Sequence, residues 1–401
     1  MTRWKGALVV LAVLALVGAA CAKKTTTTGG GGGGGTTANL PTEIGPGEGE
    51  LNLIAWPGYT QKAWVEPFEE ESGCQVSVKY GNTSDEMVNL MRQGGGTLYD
   101  GVSASGDATN RLIAAGDVAP VNVDLIPDFK DAMPSLQSPP HNTVDGVHYG
   151  VPYMWGPNFL MYNTEVVDTV PTSWDVTFET EIDGQPNPYT GGVTAYDSPI
   201  FIADAALYLK AHQPDLGIED PYELTTEQLD AAVDLLKQQS TMIDKYWAVY
   251  TDEIQGFKSG DMVIGTAWPV NQQYAEAGKN AAPVASVIPE EGVTGWADTW
   301  MMSANSKNPN CMYMWMDYTM RPEIQTQVAE YYGATPSNAN SCDQLRKDIG
   351  EQADSVYHCG DDAFLSSIAL WKTPLAECGD GRTDCADYTA WTTKWTEIRG
   401  A

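Results

Sequence analysis

The sequence predicts an α/β protein built from two lobes. Strand and helix signals alternate between residues 50 and 115, which is typical of a layered α/β lobe. A second stretch also contains helix and strand signals. A capped helix is predicted to begin after Thr225, and the apolar run 262–268 has the composition of a strand. Two segments rich in proline and glycine, 148–158 and 287–298, are the expected crossings between the lobes.

The first lobe is expected to begin with three strands and three helices in alternation. The predicted strands are 51–55, 75–80 and 98–103, and the predicted helices are 62–71, 84–93 and 108–115. Thr83 and Glu86 have the spacing of a capping box at the start of the second helix. Strands that alternate with helices pair in parallel, so this lobe is expected to contain a parallel sheet.

The other segments complete the predicted domain organisation. Residues 21–49 are rich in glycine and threonine and lack apolar periodicity, which is typical of a flexible linker. Beyond the linker, the expected order is a first part of lobe 1 at 50–152, lobe 2 at 153–293, a return to lobe 1 at 294–338 and a C-terminal segment packed on lobe 2 at 339–401.

The N-terminus has the pattern of an export signal. Two basic residues precede an apolar run at 7–20, which ends in small residues directly before Cys21, so residues 1–20 are predicted to be a signal peptide. The run is shorter than the roughly 20 residues of a membrane-spanning helix. The segment "LVGAAC" resembles a bacterial lipobox, although Gly18 departs from its commonest form. A lipid on Cys21 and attachment to the bilayer are therefore expected.

Length and charge define the broad class of protein. The chain has 401 residues, 42% of them hydrophobic, which suits a sizeable core and about two domains. Its 53 acidic and 22 basic residues give a formal net charge of −31. That charge argues against nucleic acid as a partner, because phosphates are bound by lysine and arginine. It allows a cationic partner, although acidity alone serves solubility equally well.

Cysteine usage agrees with export. Besides Cys21 the chain has six cysteines, an even number that favours disulfides outside the cytoplasm. Neighbouring cysteines that bracket polar loops are expected to pair, which leaves one long-range pair. The predicted bonds are Cys378–Cys385, Cys342–Cys359 and Cys74–Cys311. No metal site is expected, since no spacing is C-x-x-C and the four histidines do not cluster with acids.

Large aromatic residues follow several predicted strands at the point where each strand ends. Trp56 and Tyr59 lie in "AWPGY" after the first strand. Trp268 lies in "AWPVN" after the strand of the second lobe, and Trp296 follows the second crossing. Ligands of parallel sheets lie beyond the carboxyl ends of the strands. These rings are candidates for the walls of one cleft, although a single aromatic residue belongs to a core more often than to a binding site.

Carboxylates occupy similar positions. Asp107 follows "GVSASG", Asp197 lies in "AYDSPI", and Asp298 lies two residues after Trp296. Asp107 also has the position of a helix cap, so both roles are open for it. Aromatic faces attract ammonium groups, and carboxylates accept charge-assisted hydrogen bonds from them. An aromatic cleft with separated carboxylates therefore suits an aliphatic diamine or polyamine.

From residue 50 to about residue 397, the chain resembles the spermidine/putrescine-binding proteins of ABC transporters, of the PotD type, and especially their putrescine-binding branch. The resemblance rests on motifs in the same order along the chain, among them "IAWPGY", "YDGVSASGDATNRLI", "AYDSPIFIADAALYLK", "TAWPVN" and "EEGVTGWADT". It implies a type II periplasmic-binding-protein fold, with a ligand cleft between two lobes joined by hinge strands. It also implies a monomer without catalysis or cofactor that hands a polyamine to a membrane permease at the outer face of the cytoplasmic membrane.

Carried onto this sequence, the resemblance implies which residues bind the ligand. The expected walls and polar neighbour are Trp56, Tyr59, Trp268, Trp296, Tyr332 and Ser105. Trp268 and Trp296 are expected on the side opposite Trp56. Asp197 and Asp298 are expected to hold ammonium groups. Tyr332 lies one place from the last wall tyrosine of the family.

Three positions depart from the family pattern. Asp107 stands where the family has a tyrosine, Ile200 replaces a glutamate, and Lys372 in "LWKTP" replaces a glutamine. A lysine in the cleft would bind a carboxylate, and the ligand would then be a zwitterion such as an ω-amino acid or betaine, since a diamine would be repelled. A solvated Lys372, or one that neutralises a surplus aspartate, has neither effect, and these alternatives stay open.

A secreted serine hydrolase is the alternative class of protein. The segment "GVSASG" comes within one residue of the nucleophile elbow G-x-S-x-G, with Ser103 as the candidate nucleophile. Ser105 stands where the final glycine of the elbow belongs, and no later histidine lies in a motif typical of a catalytic triad. The pattern favours a binding protein over a hydrolase. A third class, an adhesion or scaffolding lipoprotein, predicts no saturable small ligand.

Overall fold

The computed structural model describes residues 40–400, in which two main β-sheets are covered by helices and two further pairs of short strands form hairpins. The strands are β1 Glu50–Ala55, β2 Gln75–Tyr80, β3 Gly101–Ala104, β4 Thr143–Val144, β5 Val147–His148, β6 Val151–Pro157, β7 Phe159–Asn163, β8 Glu181–Ile182, β9 Gln185–Pro186, β10 Val193–Thr194, β11 Ile264–Ala267, β12 Val284–Val287, β13 Thr294–Met302, β14 Thr335–Pro336 and β15 Ala369–Leu370. The helices are α1 Lys62–Ser72, α2 Ser84–Arg92, α3 Gly106–Ala115, α4 Pro134–Gln137, α5 Asp175–Phe178, α6 Ile202–His212, α7 Thr226–Ser240, α8 Tyr250–Ser259, α9 Pro269–Ala275, α10 Pro309–Met320, α11 Pro322–Tyr332, α12 Ser341–Ile349, α13 Gln352–Ser355, α14 Asp362–Ser367 and α15 Tyr388–Arg399. The predicted signal peptide and Cys21 lie outside the described residues.

The larger sheet has seven strands. Their order is β14, β6, β13, β3, β1 and β2, with β15 paired to β13. β1 is parallel to β2 and β3, as the alternation of strands and helices predicts. β13 is antiparallel to β3 and β6, so the sheet is mixed and the prediction of a parallel sheet is correct only for its first three strands. The reason is that β13 returns from the smaller sheet through a short connection without a crossover helix.

The smaller sheet has four strands in the order β10, β11, β7 and β12. The chain passes from β6 in the larger sheet to β7 at Asn158, and it returns between β12 and β13. The boundary therefore falls after Pro157, because β6 remains in the larger sheet beyond residue 152. Asn158 donates its backbone N–H to the carbonyl of Thr294 at 2.8 Å, so the two connections lie side by side. The chain has the two-lobed α/β fold that its sequence predicts.

Helix starts follow their capping signals. The side chains and backbone of Thr225 and Gln228 form a reciprocal capping box at the start of α7. At the start of α2 the Thr83 hydroxyl accepts the Glu86 N–H at 3.1 Å, whereas the Glu86 carboxylate accepts the N–H of Asn82. No helix in residues 40–400 combines the length and the apolar character that crossing a bilayer requires.

The end of the predicted linker is attached to the folded body. The carboxylate of Glu48 accepts the backbone N–H groups of Asn310 and Cys311 at 3.0 and 2.9 Å, at the start of α10. Gly45 donates its N–H to the Asn310 side chain at 2.7 Å. The prediction that the flexible linker extends to residue 49 is therefore wrong for residues 45–48, because hydrogen bonds attach this segment to the folded body.

The three predicted disulfides are confirmed. They are Cys74–Cys311, Cys342–Cys359 and Cys378–Cys385. The first joins the residue directly before β2 to α10, which packs on the larger sheet. Asp384 lies beside the third pair at a distance that would suit a shared metal ion, but both sulfurs are in the disulfide and cannot bind a metal as thiolates.

Candidate functional site

A small cavity, with room for about one water molecule, lies where residues from the two sheets meet. Its lining residues are Trp56, Ser105, Trp268, Trp296, Asp298, Tyr332 and Trp371. All of them except Trp371 are among the residues expected to bind the ligand. Five aromatic side chains thus line the cavity together with one carboxylate and one serine hydroxyl group.

The larger sheet supplies most of the lining. Trp56 directly follows β1 and Ser105 directly follows β3, at the carboxyl ends of two neighbouring parallel strands. Trp296 and Asp298 are two residues apart on β13. Because Thr299 pairs with Ala104 in the antiparallel register, Asp298 lies beside Ser105. The prediction that Trp296 stands opposite Trp56 is wrong, since both belong to the larger sheet.

The smaller sheet contributes Trp268, which lies between β11 and α9. Asn271 fixes its backbone by accepting the Trp268 N–H through Oδ1 at 3.2 Å. The side-chain amide of Asn271 in turn donates to the carbonyl of Tyr250 and to the carboxylate of Glu253, both on α8. Asn271 and Glu253 are completely buried. Trp268 is therefore held in place by the interior of its own lobe.

Aromatic rings make contacts across the boundary between the sheets. The centroids of Trp56 and Trp268 are 6.3 Å apart with an interplanar angle of 75°. Trp268 also contacts Trp371 at 6.4 Å, and Trp296 contacts Tyr332 at 6.5 Å. These edge-to-face arrangements are favourable for aromatic pairs. They form a cage whose walls come from both lobes.

Asp298 is the acidic group of the cavity. It is buried, with 3% of its surface exposed. The Tyr59 hydroxyl donates to its Oδ2 at 2.5 Å, and the Ser105 hydroxyl donates to its Oδ1. Burial raises the pKa of Asp298 from 3.8 to about 7, against the opposing effect of the two hydrogen bonds. Both donors are uncharged hydroxyls, so the charge of the carboxylate is not compensated by them.

Tyr59 lies behind the cavity. Its ring is completely buried and contacts Tyr153 and Tyr332 at 5.0 Å each. The same burial, together with the charge of Asp298, raises the pKa of the Tyr59 hydroxyl well above its ordinary value. Tyr59 therefore supports Asp298 and contributes no wall surface to the cavity.

Trp371 is the lining residue that sequence analysis missed. It follows β15, which pairs with β13 through Leu370 and Gly295, so a C-terminal segment completes a cavity built by residues far away in the chain. Its ring stacks on Tyr196 at a centroid distance of 5.7 Å and an angle of 13°. The tryptophan in "LWKTP" was the available signal, but no strand end marks it in the sequence.

Gly106 allows the Trp371 segment to pack against the start of α3. A methyl group at Gly106 would lie 1.8 Å from the carbonyl oxygen of Trp371. We expect Gly106→Ala to lower the free energy of unfolding by about 1–3 kcal/mol, because the backbone of the segment must shift. Urea unfolding measures this change. Gly400→Ala, where the nearest atom is 3.3 Å away, is the control and should change stability by less than about 0.5 kcal/mol. Equal midpoints for both variants would contradict the close packing.

Asp197 does not lie at the cavity. Its Oδ1 accepts the indole N–H of Trp395 at 3.0 Å and lies 3.2 Å from Nε of Arg399. Both partners belong to α15, and 31% of the Asp197 side chain is exposed. The expectation that Asp197 faces the ligand together with Asp298 is wrong, because the C-terminal helix pairs with its carboxylate.

Lys372 does not face the cavity either. Its ammonium group lies 2.7 Å from Asp220 and forms a hydrogen bond to Glu223. Those two carboxylates raise its pKa against the effect of burial. Lys372 therefore neutralises acids outside the cavity, and the alternative of a zwitterionic ligand bound through Lys372 is not supported.

Asp107 is buried but does not line the cavity. It lies in the first turn of α3, and the Ser84 hydroxyl donates to its Oδ1 at 2.7 Å. Burial raises the pKa of Asp107 to about 6, while Arg111 and Ser84 oppose the increase.

Ser103 lacks the geometry of a nucleophile elbow. It lies within β3, is completely buried, and accepts the backbone N–H of Trp56 at 3.2 Å. A hydrolase nucleophile needs a sharp turn that presents its hydroxyl. Ser103 instead positions the backbone of a cavity wall.

Comparisons with known proteins agree with this arrangement. The family model described as "Bacterial extracellular solute-binding protein" matches residues 63–351. The putrescine-binding periplasmic protein PotF of Escherichia coli (strain K12) is 25% identical over 292 residues, which are 70% of this chain and 76% of PotF. The putrescine-binding periplasmic protein SpuD of Pseudomonas aeruginosa is 25% identical over 299 residues, 72% of this chain and 78% of SpuD.

Solved structures share the fold. The spermidine/putrescine ABC transporter substrate-binding protein PotD from Streptococcus pneumoniae superposes with a TM-score of 0.66 at 20% sequence identity. The match covers 87% of this chain and 97% of that structure. The two-lobed architecture therefore extends over nearly all of the described residues.

Proposed function

Because this chain belongs to the family of bacterial extracellular solute-binding proteins, we propose that it binds a polyamine, putrescine or spermidine, for an ABC importer. The observation that carries the proposal is Asp298, a buried carboxylate in an aromatic cage that accepts hydrogen bonds from two hydroxyl groups and has no cationic partner within residues 40–400. An ammonium group would compensate its charge, and the indole faces of Trp56 and Trp268 would contact the methylene chain. The relatives named as putrescine-binding proteins support this choice of ligand.

Binding would be coupled to closure of the lobes. Trp56, Trp296 and Asp298 come from the larger sheet, whereas Trp268 comes from the smaller one. A ligand that touches both sets binds the closed arrangement more tightly than the open one, and so shifts the population toward closure. The closed protein would then be the form that a membrane permease recognises. Cys21 would hold the protein beside that permease as a lipid anchor.

A thermal-shift screen tests the proposed ligand class. Putrescine and spermidine should raise the melting temperature, because a ligand that binds only the folded state stabilises it by mass action. Betaine and γ-aminobutyrate should have no comparable effect, since Lys372 is paired with Asp220 and Glu223. Shifts with the zwitterions and none with the amines would overturn the proposal.

The affinity for an amine should depend on pH through Asp298. Its pKa is about 7 without ligand, so at lower pH the carboxyl group must lose a proton before it can bind an ammonium ion. We expect the affinity for putrescine to fall about tenfold for each pH unit below 7 and to level off above about pH 8. Calorimetric titration at several pH values measures this profile. Asp298→Asn is the control, and any amine affinity that it retains should lose the dependence on pH that is centred near 7.

The free energy of unfolding of the ligand-free protein should depend on pH in the opposite direction to the amine affinity: the contribution of Asp298 to stability should decrease as the pH rises. The folded pKa of Asp298 lies above the ordinary value of 3.8, so the folded state holds a proton that the unfolded state releases. The contribution of this group is fully present below about pH 4 and is lost as the pH rises through 7. The difference in unfolding free energy between wild type and Asp298→Asn isolates it. A difference that does not change with pH would contradict the assignment.

A further inference from the structure

The C-terminal helix α15 belongs to the lobe of the smaller sheet. It packs on α7, which lies between β10 and β11 in the chain. Lys394 of α15 lies 2.9 Å from Asp230 of α7, and Arg399 lies 3.2 Å from Asp197. The helices α2 and α3 pack instead on β1, β3 and β13 of the larger sheet. A contact between α15 and either α2 or α3 therefore joins the two lobes.

Tyr388, at the start of α15, makes such a contact. Its hydroxyl donates to Oδ1 of Asp85 on α2 at 2.9 Å. The guanidinium carbon of Arg111 on α3 lies 4.0 Å from the centroid of the Tyr388 ring, which is the geometry of a cation–π interaction. Nη1 of Arg111 lies 2.5 Å from the same Asp85 oxygen. The residues Asp85, Arg111 and Tyr388 are named the interlobe cluster below.

The charges of the larger-sheet lobe favour the tyrosine hydroxyl as a donor. Nη2 of Arg111 and Oδ2 of Asp107 are both buried without a hydrogen-bond partner in residues 40–400, and their opposite charges attract. Arg111 is thus shared by two carboxylates, those of Asp85 and Asp107. Burial, opposed by the charge of Arg111 but reinforced by both carboxylates, raises the pKa of Tyr388. Its hydroxyl therefore keeps its proton and supplies a donor to the surplus carboxylate.

The interlobe cluster is connected to the cavity, although none of its residues is part of the lining. The backbone N–H of Tyr388 donates to the carbonyl of Pro374 at 3.0 Å. One residue earlier, the Thr373 hydroxyl donates to the backbone carbonyl of Asp107 on α3 at 2.7 Å. The same short segment begins with Trp371, whose side chain lines the cavity. Closure that forms the cluster therefore also places the segment of Trp371 against α3.

We propose that the interlobe cluster stabilises the closed arrangement of the lobes, and so raises the affinity for each ligand of the cavity without touching it. The apparent affinity of a protein that binds in one conformation is proportional to the population of that conformation. The inference rests on the proposed function and makes Tyr388 and Arg111 positioning residues for it.

The cluster is not the whole of the contact between the lobes. The helix α9 follows β11 of the smaller sheet, whereas α11 packs on β6 and β14 of the larger sheet. The hydroxyl of Tyr274 on α9 donates to the carbonyl of Tyr331 on α11 at 2.8 Å. Loss of the cluster should therefore weaken closure without abolishing it.

The experiment is a double-mutant cycle across the lobe boundary, with the affinity for putrescine as its readout. Tyr388→Phe keeps the ring beside the guanidinium group and removes the hydroxyl, whereas Asp85→Ala removes the acceptor. Calorimetric titration should show that each single variant binds putrescine about 3- to 10-fold more weakly. The double variant should lose no more than the larger single effect, because both substitutions remove the same hydrogen bond. Losses that multiply in the double variant, or unchanged affinities in both single variants, would overturn the inference.

A second ligand and a control variant separate closure from contact with the ligand. Spermidine should lose affinity by the same factor as putrescine in Tyr388→Phe, because the cluster touches neither. A loss confined to one amine would overturn the inference. Tyr80→Phe is the matched control, since the Tyr80 hydroxyl accepts that of Thr60 at 3.2 Å within the larger-sheet lobe. It should leave both affinities within about twofold.

Small-angle X-ray scattering provides a readout that needs no ligand. Tyr388→Leu removes both the hydroxyl and the ring, and its radius of gyration without ligand should exceed that of the wild type. At a saturating concentration of putrescine the two radii should be equal. Equal radii without ligand would overturn the inference. A wild-type protein that binds neither amine would instead overturn the proposed function, and the comparison of ligand-free radii would still test the cluster.

Discussion

Asp298→Ala is expected to weaken putrescine binding by about 2–5 kcal/mol, or roughly 30- to 4,000-fold. The variant removes the charge that would compensate an ammonium group inside an aromatic cavity. It also leaves the hydroxyls of Tyr59 and Ser105 without their acceptor. Substitutions within a binding site usually change the dissociation rate much more than the association rate, so most of the lost affinity should appear as faster dissociation.

Calorimetric titration and stopped-flow dissociation measure this effect. Asp197→Ala removes a carboxylate of the same type that is paired with Arg399 and Trp395, away from the cavity. It should leave the affinity unchanged within about twofold. If the two variants lose similar affinity, the assignment of Asp298 as the main anion of the site is wrong.

Loss of the Cys74–Cys311 disulfide is expected to lower the free energy of unfolding by about 5 kcal/mol. The two cysteines are 237 residues apart in sequence, so the bond closes a very long loop and strongly restricts the unfolded chain. Both sulfurs are completely buried, and the double variant Cys74→Ala with Cys311→Ala avoids placing new polar groups there. Denaturant unfolding of the variant and the wild type measures the difference.

The Cys378–Cys385 bond provides the matched control. Its cysteines are only 7 residues apart, and the same relation between loop length and entropy gives about 2–3 kcal/mol for the corresponding double alanine variant. A loss for the short loop that equals or exceeds the loss for the long loop would contradict the loop-closure explanation.

Residues at strand ends could be predicted because their position follows from local patterns. Trp56 and Trp268 each follow a short apolar run and precede a helix, and the carboxyl ends of strands are where a sheet exposes a site. Asp298 could be placed with them because it follows Trp296 at a spacing of two on one strand. The disulfides could be assigned because two close pairs leave a single remaining pair.

Partners from distant parts of the chain could not be predicted. Asp197 is paired with Arg399, and Lys372 is paired with Glu223, both through contacts between segments more than a hundred residues apart. No spacing rule connects such segments. Asp197 and Lys372 resemble ligand-binding groups in the sequence, but in the structure each is neutralised by a residue of opposite charge from a distant segment. Trp371 was missed for the same reason, since only the pairing of β15 with β13 brings it to the cavity.

A crystal structure of the protein with putrescine tests the central claim most directly. We expect one ammonium nitrogen within hydrogen-bond distance of the Asp298 carboxylate, with the methylene chain between the rings of Trp56 and Trp268. Putrescine bound elsewhere on the protein, or a cavity without amine at a saturating concentration, would contradict the account.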